Sequence, residues 1–106
     1  MVVKYYMEVN MGRNFKVIAY NMLLEDLKAD LEGLIKEKEK LEVEYEKINA
    51  EVTLYKKVMR GNDNFKCKYE EACKKKDNFN FNDIDTKIEE AQLLVNTLKS
   101  LIGNEI

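Results

Sequence analysis

The chain has no proline and no histidine, a single serine, two cysteines and four glycines in 106 residues. A globular chain of this length carries roughly five prolines, so nothing here interrupts a helix, and only Gly12, Gly33, Gly61 and Gly103 can punctuate one. Without histidine, Cys-His and Ser-His nucleophile pairs are excluded. The lone Ser100 and the hydroxyls of Thr53, Thr86 and Thr97 have no evident base in the sequence. Cys67 and Cys73 lie about 120° apart round a helix, which rules out a bridge within that helix and a zinc pair; free thiols are expected. Long apolar runs are missing too. The longest, "VIAY" and "MLL", are too short for a membrane span or a signal-peptide core, so no membrane partner and a cytoplasmic location are expected.

What is abundant is charge mixed with apolar residues, 36% and 45% of the chain at a net charge of −2. That mixture suits exposed amphipathic helices and is too apolar for a disordered tail. Sixteen lysines against two arginines, with eleven asparagines, look like the codon bias of an AT-rich genome: a low-GC bacterium, its phages or its mobile elements.

Residues 3, 5, 7, 9 and 11 are Val, Tyr, Met, Val and Met with mostly polar neighbours between, a period of two that suggests a short N-terminal strand or an arm over 1–14. Asn14 can cap the helix that follows. From Val17 an apolar stripe then runs at alternating three and four spacing through Tyr20, Leu24, Leu27, Leu31, Leu34, Leu41, Tyr45, Ile48, Val52, Tyr55 and Met59, broken only at Lys38. The pattern predicts one long helix over 15–60 and a turn at 61–64, with Gly61 in the left-handed conformation. A second helix over 65–76 carries Phe65, Tyr69, Ala72 and Cys73 inward. A third over 83–103 carries Ile84, Ile88, Ala91, Val95, Leu98 and Ile102. Phe79 and Phe81 between them are expected to plug the bundle.

In a parallel homodimer of the long helix Glu37 would face Glu42 and Glu44 would face Asn49, so the charges do not favour that pairing. The expected fold is all-α: the long helix folded back on the two shorter ones as an antiparallel coiled-coil-like hairpin or three-helix bundle. The return helices, at ~1.5 Å per residue, are expected to reach only to about residue 25. Residues 15–24 would then be left over, with Val17, Tyr20 and Leu24 on the stripe and Ile18, Met22 and Leu23 on other faces. A helix apolar nearly all round is buried by something, the N-terminal arm, a second subunit or a partner, and these six residues are the expected partner or dimer interface.

Two other patterns compete for attention. Asn78, Asn80, Asn82, Thr86 and Glu89 fall at EF-hand spacing, but the position-1 charge and the position-6 glycine are missing, and an Asn/Asp-rich turn with a helix cap explains them better. Residues 52–76 hold Lys56, Lys57, Arg60, Lys66, Lys68, Lys74, Lys75 and Lys76 against three acids. That basic bend could contact an anion or nucleic acid, with Phe65 and Tyr69 to stack on bases; cations offsetting helix C-termini are the plainer account. The expectation is therefore a non-enzymatic protein-binding module without cofactor or metal, homodimeric, conceivably a phage or mobile-element inhibitor or regulator of a host protein. The alternative is a nucleic-acid accessory protein working through the basic bend.

Overall fold

A computed structural model describes residues 11–105, with side chains from Phe15 to Asn104. Among the described residues all regular structure is helical: α1 (Met11–Met59), a short 3-10 turn (Asp63–Phe65), α2 (Lys66–Asn78) and α3 (Asn82–Glu105). The all-α expectation holds, and the N-terminal strand lies outside the described residues. Asn14 is not a cap, because α1 is already helical from Met11. One glycine costs a helix about 1 kcal/mol, too little for Gly12 alone to end a helix of this length.

The far end of α1 also closes differently from the expectation. Gly61 donates its N–H to the Val58 carbonyl at 3.1 Å and Asn62 to that of Met59 at 3.3 Å, and no described residue has a positive φ. These short-range bonds tighten the last turn and satisfy its carbonyls, so no left-handed residue is needed. The Asn62 side chain then caps the 3-10 turn by accepting from the Asn64 N–H at 3.0 Å. At the start of α3, Asn80 accepts from the Asn82 N–H at 3.2 Å, and Asp83 and Asp85 put negative charge in the first turn, where the helix dipole favours it.

The chain divides into two compact units, one formed by the segments up to Leu34 and from Thr86 on, the other by Ile35–Asp85. In the second unit the aromatic residues do the joining. The Tyr45 ring lies 5.3 Å from Phe79 and 5.9 Å from Phe81, and those two rings lie 5.3 Å from each other. Tyr55 stacks on Phe65 at 6.3 Å with 16° between the planes. Ala72 and Ile84 are buried. In the first unit the buried residues are Val95 and Leu98 of α3, and Leu27 and Leu34 of α1 share a groove of about 270 Å³ with Lys87, Ala91 and Leu94 of α3.

Lys38, the one break in the stripe, is only half exposed, and its Nζ meets Asp85 Oδ1 at 2.6 Å with the Phe81 ring 6.0 Å away. The hydrogen bond that Lys38 donates to Asp85, opposed by desolvation and aided by the charges of Asp85 and Glu42, raises the Lys38 pKa above its ordinary value. A folded pKa above the unfolded one means a contribution fully present below the unfolded value and lost as pH rises through the folded one. Lys38→Leu should therefore remove part of the stability loss on alkaline titration. At neutral pH it should cost nothing or be mildly stabilising, because a half-exposed ion pair gives way to a continuous apolar stripe. Thermal melts at pH 7 and above pH 10 check both; a clearly lowered melting temperature at pH 7 would make the pair a true stability element.

Candidate functional site

Every residue of the predicted stripe from Val17 to Tyr55, Lys38 included, is partly covered, while the positions between are mostly exposed. On α3 the predicted inner residues Ile84, Ile88, Ala91, Val95, Leu98 and Ile102 are likewise all partly or fully covered. The six expected interface residues therefore separate into two groups. Val17, Tyr20 and Leu24 are half-buried. Ile18, Met22 and Leu23 are exposed, at 40%, 62% and 47%.

Leu94 shares a groove with Leu27, and α3 continues from there to Glu105. α2 and α3 exceed their expected lengths by one and three residues.

Exposed large apolar side chains concentrate in the first unit. Phe15, Ile18, Met22 and Leu23 of α1 are joined there by Leu93, Leu94 and Leu101 of α3, against Ile35, Val43 and Leu54 in the second unit. The α3 residues were missed by sequence reasoning, although a signal existed. In a chain that is 36% charged, residues 17–24 carry no charge and residues 91–104 carry only Lys99. Monomeric soluble proteins seldom leave contiguous apolar patches beyond a few hundred Å² in water. This end of the first unit is the candidate binding surface.

The basic bend is differently built. All eight cationic residues are exposed, and Lys56 and Lys57, like Lys75 and Lys76, occupy the last turns of α1 and α2, where cations offset the carbonyl end. Lys75 also reaches Glu51 at 3.8 Å. Phe65 and Tyr69 are not presented for stacking on bases. Phe65 is half-buried against Tyr55, with the Lys68 ammonium 5.8 Å from its centroid. Tyr69 is half-buried, and its hydroxyl is pushed above its usual pKa chiefly by a hydrogen bond with the Cys73 thiol. Both cysteines are free.

The calcium-like spacing does not form a loop, since Asn82, Thr86 and Glu89 all lie within α3. Among the described residues no group of three metal-ligating side chains comes together, and no helix is long and apolar enough to cross a membrane. Neither a protein-family model, nor a curated protein, nor a solved structure matches this chain. The reading of function accordingly rests on surface chemistry alone.

Proposed function

We propose that this chain is a non-catalytic, cytoplasmic binding module, an antiparallel helical hairpin that acts by docking another protein chain on the uncharged end of its first unit. The observation that carries this reading is the coincidence of two independent features, seven large exposed apolar side chains and two nearly charge-free helical stretches. The hairpin draws support from the groove that α1 and α3 line together and from the Tyr45, Phe79 and Phe81 cluster. A protein of this kind needs only a surface, which fits a small inhibitor or regulator of a host protein encoded by a phage or mobile element.

The test is capture by the tagged full-length chain from extracts of its source cell, with and without nuclease. Capture should survive nuclease and be lost with Ile18→Glu/Leu23→Glu. That double variant should stay as helical as the parent by circular dichroism, with a stability change within about 1 kcal/mol, because both side chains already face water. Unfolding of the variant would assign this end to the internal core, and release of the captured material by nuclease would favour nucleic acid as the target.

One observation favours the nucleic-acid alternative. Lys66 and Lys68 sit in the first turn of α2, which has no acidic residue, at the positive end of the dipole, where cations are disfavoured. Against it stand the inward Phe65 and Tyr69 and the net charge of −2. Binding to a single-stranded oligonucleotide at physiological salt should be no tighter than about micromolar. Sub-micromolar affinity abolished by Lys74→Glu/Lys75→Glu/Lys76→Glu would reverse the order of the two readings.

A further inference from the structure

The start of α1 has two apolar sides, and only one of them is partly covered. At about 100° per residue, Val17, Tyr20 and Leu24 share the side that leads through Leu27 into the groove with α3. Phe15, Ile18 and Met22 centre about 160° round the helix from them, so α3 lies on the wrong side to reach these three. All three are exposed, as is Ala19 in their midst. Leu23 falls between the two sides. The outward face is also short. One turn on it carries Glu25 and Asp26, so its apolar length from Phe15 to Met22 is only about 10 Å at ~1.5 Å per residue.

That brevity bears on the occupant. A standard protein interface engages roughly 20–30 residues a side, and four side chains of one helix are far too few to hold a separate molecule. A tethered segment is different, because attachment alone gives it an effective concentration of about millimolar. The ten residues before Met11, MVVKYYMEVN, are such a segment and start at the edge of this face. Val3, Tyr5, Met7 and Val9 alternate there with Lys4, Tyr6, Glu8 and Asn10, and in an extended chain the two sets point to opposite sides. One set needs an apolar floor, and the other suits water. Asn10 is of a type preferred just before a helix, where the backbone is extended rather than helical, so the chain can turn aside at that point.

We propose that residues 1–10 fold back along α1 and cover the outward face made by Phe15, Ile18 and Met22. An extended chain rises ~3.3 Å per residue against ~1.5 Å for the helix, so each residue of the segment passes about two of α1. With the chain turning at Asn10, Met7 comes roughly level with Ile18 and Tyr5 with Met22, where thioether and ring attract each other. Lys4 comes roughly level with Glu25 and Asp26, and its flexible stem brings the ammonium to opposite charge where the apolar face ends. The inference goes beyond the binding reading and narrows it. With Phe15, Ile18 and Met22 covered from within the chain, Leu23, Leu93, Leu94 and Leu101 remain exposed for the partner.

The chain contains no tryptophan, so a single one introduced into the full chain reports its own surroundings. Tyr5→Trp should emit to the blue of Tyr6→Trp and be quenched by acrylamide about threefold less, because only the first of the two rings leaves water. Adding Ile18→Glu/Met22→Glu to Tyr5→Trp should remove the difference. Circular dichroism should stay at the parent's level, since both positions are exposed. The protection should also survive about a hundredfold dilution, as a contact within one chain does. Equal quenching of Tyr5→Trp and Tyr6→Trp, protection indifferent to Ile18→Glu/Met22→Glu, or protection lost on dilution would each overturn the proposal. Partner binding is read separately: Leu23→Glu should abolish capture and leave the Tyr5→Trp emission unchanged. Protected emission in a chain that captures no protein would uphold the folded-back segment and discard the binding reading alone.

Discussion

Val95→Asp is expected to abolish the cooperatively folded state at room temperature. Val95 is 2% exposed and Leu98, one turn on, 5%; in the first unit no other described residue is buried as deeply. The substitution removes the ~1.5–3 kcal/mol that burial of a valine-sized side chain contributes. It also places a carboxylate where taking an ion out of water costs several kcal/mol unless it is paired. Together these rival the roughly 5–15 kcal/mol by which small domains are stable at all. Val43→Asp, at a position that is 70% exposed, should by contrast change stability by no more than about 0.5 kcal/mol. Far-UV circular dichroism with urea titration distinguishes them. A Val95→Asp variant that keeps the wild-type midpoint would mean that α3 does not pack through this face.

That contrast also marks how far the sequence could be read. The stripe from Val17 to Tyr55 and the inner residues of α3 were legible because a periodicity near 3.5 is a property of one helix at a time. It needs no knowledge of what the helix meets. The same holds for Phe79 and Phe81, whose apolar rings in an otherwise polar connection mark them as anchors. What lay beyond reach depends on two helices together. Leu94 looks like an ordinary amphipathic residue until the groove shared with Leu27 and Asp30 shows which flank of α1 it borders. The ends of helices were equally elusive. Gly61 is followed by an asparagine that caps the next turn, and the competition between a left-handed glycine and a tightened last turn is decided by that following residue. Lys38 was visible as a break in the pattern, but its partner Asp85 is far along the chain, and only the fold brings them to 2.6 Å.

Phe81→Ala should be the most damaging single change outside the fully buried positions, at about 2–4 kcal/mol. The ring is half-buried and holds three things at once. It meets Tyr45 edge-on at 5.9 Å and Phe79 at 5.3 Å, each pair contributing about 0.5–1.5 kcal/mol beyond buried area. It lies 6.0 Å from the Lys38 ammonium, at the outer reach of a cation–π attraction. It also borders the notch formed with Lys38, Glu42, Tyr45 and Asp85, so its removal enlarges a gap where α2 hands over to α3. Because Phe81 backs the Lys38 side chain, the two substitutions should not add. A cycle of Phe81→Ala, Lys38→Leu and the double variant, followed by urea titration, should give a coupling of at least about 0.5 kcal/mol, the leucine filling part of the space the ring vacates. If Phe81→Ala cost less than about 1 kcal/mol, the connection between α2 and α3 would have to be held by Tyr45 and Phe79 alone, and Lys38 would keep its geometry through Asp85 without the ring.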